Sequence, residues 1–319
     1  LAVDYTYAVA RVRAIEAGMP DRAWFMRMVR SPARQLLTGV REYYAGFEGV
    51  EAVHGFEAGI EADMASLYDL LSSILGEGPE TRFLFAGLDF DNYVLALKGR
   101  MLGAEPVLFP FGPTPVDVLE TAAGSGDPTF LPEYLKRLSD TLAGSREKGL
   151  SASLDREGER AKWEYLLSAA PSEDARHWVR LRIDRANIKS FARFRLTGSW
   201  KEEVSDTWIA GGTIEASRFG SLYSEPFEDF LSFLGSTEWR GLPAAGFDRE
   251  MEPWRIEAAL DSVMLELTSG SRSHFFDIMP LLYHIELRER NARVLRTIFT
   301  GRINNLPEDG MAESVEALL

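Results

Sequence analysis

One pattern is written three times in this chain: an Asn on an apolar stripe with helical spacing, several basic residues after it, and a Gly about eleven positions further on. The copies read DFDNYVLALKGRMLG from Asp89, RIDRANIKSFARFRLTG from Arg182 and IELRERNARVLRTIFTG from Ile285. Aligned on Asn92, Asn187 and Asn291, the residue four before is Leu88, Ile183 or Leu287, and the residue four after is Ala96, Phe191 or Leu295. Each Asn therefore falls in the middle of a buried helix face. The copies lie 95 and 104 residues apart, so one helical unit is repeated over the chain.

A second marker travels with the first. The acidic residues Glu61, Asp155 and Asp261 stand 31, 32 and 30 residues before the respective Asn. Upstream of each is another amphipathic stretch, Trp24 to Leu37, Phe130 to Leu142 and Phe227 to Leu234. Each unit then holds three or more helices, because a single amphipathic helix cannot bury its own stripe while several packed together can. Prolines 106, 110, 113 and 115 interrupt the chain after the first unit, and Gly211-Gly212 interrupts it after the second. The expected division is 1–110, 111–210 and 211–319, three similar helical bundles. Gly103, Gly198 and Gly301, the last one residue early, are expected as helix C-caps. Strand signals are weak, for the alternation over Thr207 to Ile214 has no paired run, and the fold class is all-α.

Composition narrows the functions open to such a fold. At 319 residues the chain exceeds one compact core. The formal charge of −14 argues against coating nucleic acid or anionic lipid. The absence of cysteine removes disulfides and thiolate metal sites. No uncharged run exceeds the eleven residues from Pro106 to Val116, so no segment is long enough for membrane insertion, and any membrane role is peripheral. The opening residues show no charged-then-apolar leader, so no signal peptide is expected, and a few leading residues are expected to be missing.

The repeated residues suit an internal role better than a chemical one. A buried Asn left unpaired costs about 1 to 3 kcal/mol, so Asn92, Asn187 and Asn291 are expected to bond a neighbouring helix or its end. Arg193, Arg195, Arg293, Arg296 and Arg302 gather near helix C-termini, where the dipole favours them and where an acidic partner could dock. Catalytic patterns are missing. The four histidines, at 54, 177, 274 and 284, have no metal-pair spacing, and His284 and Glu286 face different sides of a helix. GSREKG, Gly144 to Gly149, lacks the Lys-Ser/Thr that would complete a phosphate loop, and a surface turn is expected there. The Asp89-Phe90-Asp91 pair has the form of a sugar-transferase metal motif, but acidic residues opening a helix are explained by its N-terminal dipole. No catalytic residue, cofactor or metal is expected.

The opening DYTYAVARVRAIE from Asp4, the second Asn segment and the closing IELRERNARVLRTIFTGRINNLP together resemble the C-subunit family of V-type (A/V-type) ATPases, whose eukaryotic counterpart is the d subunit. The most specific part is the final segment, with Glu286, Asn291, Arg293, Gly301 and Arg302 in family order. The resemblance implies a funnel of three helical subdomains around a pseudo-threefold axis. It implies a non-catalytic, monomeric rotor part, peripheral on the cytoplasmic face of the proteolipid ring and receiving the central shaft, which is made of the D and F subunits. The repeat-helix ends would form the rim. A free-standing helical-repeat adaptor that binds proteins is the alternative.

Overall fold

The computed structural model describes residues 4–147, 151–199, 204, 206–243, 247 and 252–319. Among these the regular structure is helical and no strand occurs, so the protein is all-α. In chain order the helices are α1 Thr6–Ala17, α2 Arg22–Arg30, α3 Ala33–Arg41, α4 Phe56–Leu75, α5 Pro79–Leu102, α6 Val116–Ser125 and α7 Glu133–Glu147. They continue with α8 Ser151–Ala169, α9 Glu173–Thr197, α10 Ala216–Leu222, α11 Phe227–Leu234, α12 Pro253–Ser269, α13 Met279–Ile303 and α14 Glu308–Leu318. The three Asn segments lie on α5, α9 and α13, and the acidic markers on α4, α8 and α12. Thr207 to Ile214 forms turns and bends, because its backbone is drawn onto a buried carboxylate rather than onto a second strand. Residues 144–147 of the expected surface turn continue α7, and residues 148–149 lie outside the described residues.

Contacts group the backbone into two compact units, one of Leu1–Leu67, Arg185–Ser205 and Ser217–Leu319, the other of Tyr68–Asp184 and Asp206–Ala216. In the first unit, helices from the two ends of the chain share one core. Trp24, Phe25 and Val29 of α2 and Leu36 and Val40 of α3 pack with Leu295, Ile298 and Phe299 of α13 and Met311, Val315 and Leu318 of α14. The Phe299 ring stacks on Phe47 and Phe56, with centroids 5.7 and 5.1 Å away. Asp21 starts α2 by accepting the Trp24 amide at 2.7 Å, which fixes where the large indole enters this core. A second aromatic cluster joins α9 to α10 and α11, with Phe191 stacked on Phe230 at 3.8 Å and in edge contact with Tyr223.

The second unit is built on α5. Phe90, Tyr93, Val94 and Leu97 pack on Leu119 of α6, Leu135, Leu138 and Leu142 of α7, and Leu154 of α8. Helices α5 and α8 approach closely because Gly158 sits where a Cβ would lie 2.5 Å from Val94 Cγ2. The Tyr93 hydroxyl donates to Ser139 at 2.8 Å, so the buried phenol is satisfied.

Candidate functional site

The three Asn side chains are all buried, at 1 to 2 % exposure. Asn92 secures the loop that follows its own helix: its Nδ2 donates to the Phe109 carbonyl and its Oδ1 accepts the Phe109 amide, both at 2.9 Å. The backbone donor and acceptor of one loop residue are thus both satisfied by one side chain. The expectation of a bond to a neighbouring helix is replaced by a bond to a loop. Asn291 accepts from Arg290 at 3.1 Å. Asn187 is also hydrogen-bonded or otherwise engaged.

One helical turn before the Asn, the first two copies carry a buried Asp that performs a second fastening. Asp89 accepts from the Thr114 amide at 3.3 Å and from the Thr114 and Tyr134 hydroxyls at 2.5 Å. Asp184 accepts from the Thr213 amide and hydroxyl at 3.1 and 2.5 Å and from the Ile214 amide at 3.1 Å. Gly212 makes room for this, since a Cβ there would collide with Asp184 Oδ1. Asp89 lies ten residues inside a helix that begins at Pro79, so the helix-dipole account expected for the Asp89-Asp91 pair is corrected. The two carboxylates also part company, Asp91 pairing with Lys162 of α8 at 2.9 Å. In the third copy the equivalent position is Arg288, which pairs with Asp63 of α4 at 2.5 Å. Asp184, Thr114 and Thr213 were missed by sequence reasoning, which singled out Asp89 only as a helix opener. Their signal was present as a Gly-Pro-Thr and a Gly-Gly-Thr after the first two helices.

The helix ends share one geometry, at the expected glycine in the first two copies and later than expected in the third. Gly103 and Gly198 adopt left-handed φ of 62° and 67°, and the amides after them, Ala104 and Ser199, bond back to Gly99 and Phe194. Gly301 is not a cap. It is buried inside α13, where a Cβ would meet Met311 of α14, so it serves close helix packing. The left-handed residue of the third copy is Asn305 at φ 52°, and Leu306 bonds back to Gly301 at 2.8 Å. Relative to its Asn, the left-handed residue of the third copy therefore falls three residues later than those of the others.

This register aligns Arg100, Arg195 and Arg302 at one position, three residues before each left-handed residue. Arg195 donates to the carbonyls of Tyr223 and Glu225 beyond α10, at 2.5 and 3.0 Å. Arg302 donates to the Val29 carbonyl in the last turn of α2 and pairs with Glu308 at 3.3 Å. Both complete the ends of other helices, where carbonyl oxygens lack intrahelical partners. Arg296 pairs with Glu57 through both carboxylate oxygens, at 3.0 and 3.2 Å. Arg293 pairs with the buried Asp261. Arg193 is exposed, with its guanidinium 5.3 Å from the Phe194 ring centroid.

Asp261 also receives Arg185 of α9, and Arg185 reaches the buried Glu286 at 3.4 Å. His284, two residues before Glu286, instead meets Glu16 of α1 at 3.2 Å. The charged pairs between copies have an order. The acidic-marker helix of the second copy meets the Asn helix of the first through Asp155–Lys98 at 2.9 Å. That of the third meets the second through Asp261–Arg185 and through Glu257–Lys189 at 2.5 Å. That of the first meets the third through Asp63–Arg288 and Glu57–Arg296. Glu61, the expected marker on α4, is flanked by the two residues that make these contacts.

The described chain is thus all-helical, its first two copies clasp the loops that follow them, and each copy is paired to another. The model of the ATP synthase (C/AC39) subunit family matches residues 8–314, and the chain belongs to that family. It is 25 % identical to the A-type ATP synthase C subunit of Thermococcus kodakarensis, over 92 % of this chain and 85 % of the relative. It is 27 % identical to the A-type C subunit of Desulfurococcus sp., at the same coverage. The A-type C subunit of Methanocaldococcus jannaschii is 24 % identical over 96 % of this chain and 84 % of that one. Among the described residues no helix is long and apolar enough to cross a membrane.

Proposed function

We propose that this chain is a non-catalytic central-rotor subunit of an A/V-type ATPase or ATP synthase. It couples the central shaft, made of the D and F subunits, to the membrane proteolipid ring, as a peripheral protein on the cytoplasmic side, and serves H⁺ or Na⁺ transport. The segments 1–110, 111–210 and 211–319 form three bundles about a pseudo-threefold axis, and the rim of helix ends, with the exposed Arg193, takes the shaft. The cyclic order of the charged pairs carries this reading. Each copy pairs with the one before it and the first with the last, the connectivity that a closed coupler needs and a string of adaptor repeats lacks. Close-packed helices resist twisting, as torque transmission requires, and two of the three pairings include a largely buried ion pair.

Affinity isolation of the tagged chain from native membranes tests the reading. Recovery of shaft and ring proteins together is the expected result. Recovery of soluble partners without any other part of an ATPase would establish the free-standing adaptor instead.

A further inference from the structure

Asp89 has no exposed surface, and its three bonds come from neutral groups, the Thr114 amide and the Thr114 and Tyr134 hydroxyls. The surrounding elements bring further phenols close enough to interact with it, Tyr68 of α4 and Tyr165 of α8. Arg82 is engaged with Tyr165, while on α5 itself Asp91 turns to Lys162. A carboxylate held only by neutral donors bears most of its desolvation cost, and burial pushes the Asp89 acid up to about 6. The hydroxyls of Thr114 and Tyr134 stand 3.3 Å apart, and each can accept as well as donate. A protonated Asp89 can therefore donate to one of them without stranding a polar atom. At Asp184 the partners include two backbone N–H groups, of Thr213 and Ile214, which can only donate.

We propose that Asp89 is a proton-binding site that governs the loop segment 110–114: proton uptake fastens the segment to α5, and ionisation favours its release. Opening the segment hydrates the carboxylate and restores its ordinary acidity, so rising pH favours the open form. The segment is bounded on one side by Phe109, which Asn92 holds at every pH because an amide does not titrate. On the other side it leads directly into α6. Position 110 is exposed, and the chain has no cysteine, so one introduced thiol reports on the segment alone.

The full chain carrying Pro110→Cys and a nitroxide label is compared at about pH 5 and about pH 7.5. The expected result is a label that is more mobile at the higher pH. In an Asp89→Asn background, where the amide supplies a permanent donor, the low-pH spectrum is expected at both values. The folding constant relative to Asp89→Asn falls roughly tenfold between the same two values. A label equally mobile at both values, or an unchanged response in Asp89→Asn, overturns the proposal. Should Asp89→Asn fail to fold, Tyr134→Phe removes one donor to the carboxylate, and the mobility transition must move to higher pH. An unmoved transition overturns the proposal equally.

Discussion

The buried polar side chains of this protein do separable jobs, and substitutions should rank them. Asn92→Ala strands the amide and carbonyl of Phe109, at about 1 to 3 kcal/mol for each group that stays buried, read by urea titration. Lys98→Ala breaks a pair whose carboxylate, Asp155, is largely exposed, and should cost less than about 1 kcal/mol in the same titration. Asp261→Asn removes the charge that Arg185 and Arg293 share, and a loss of about 3 to 5 kcal/mol is expected. The pH response of α1 has the opposite sign to that of Asp89. Burial holds His284 below its ordinary value, so its neutral ring supports the fold above the free imidazole range and that support is lost as pH falls. Burial opposes ionisation of Glu16, but bonds from His284 and Arg13 outweigh it and hold the acid low, so its contribution is lost only below the ordinary carboxylate range and the response at milder pH belongs to His284. Hydrogen-exchange protection of the Val9 and Val12 amides should therefore fall from about pH 7 to about pH 5. The sequence shows that Asn92 lies on a buried face, because helical spacing alone determines that. It cannot show that the partner is Phe109, because the partner depends on how a proline-rich loop folds back.

At the level of helices and loops, the repeat was visible and one of its registers was not. Spacing from the Asn marks Gly103 and Gly198 as caps, and both are. The same spacing points to Gly301, but α13 runs on until Asn305 can take the left-handed turn, since Gly301 is needed where α14 crosses. A glycine can serve either purpose, and only the packing of α14 decides between them. Gly301→Ala should cost about 1 to 3 kcal/mol through crowding against Met311, measured as a shift in the denaturation midpoint. Asn305→Gly should leave that midpoint unchanged or raise it slightly, by a few tenths of a kcal/mol, because it eases a positive φ. Arg195 and Arg302 also became comparable only through the caps. In the sequence they resemble a basic edge for a partner, whereas in the fold they finish the carbonyl ends of other helices.

For the whole molecule, the charged pairs between copies should be unequal. A double-mutant cycle on Asp63 and Arg288, both largely buried, should show coupling of about 1 to 3 kcal/mol, several times that of Lys98 and Asp155. The sharing of one core by α2, α3, α13 and α14 has a further consequence for biosynthesis. The indole of Trp24 and the ring of Phe25 leave the ribosome well before the residues that cover them, from Leu295 to Leu318. The core of α5 to α8 is contiguous in sequence and can close while translation continues. The nascent chain must therefore carry an uncovered aromatic surface until α13 and α14 emerge, and in the cell that surface is a substrate for a chaperone over that interval.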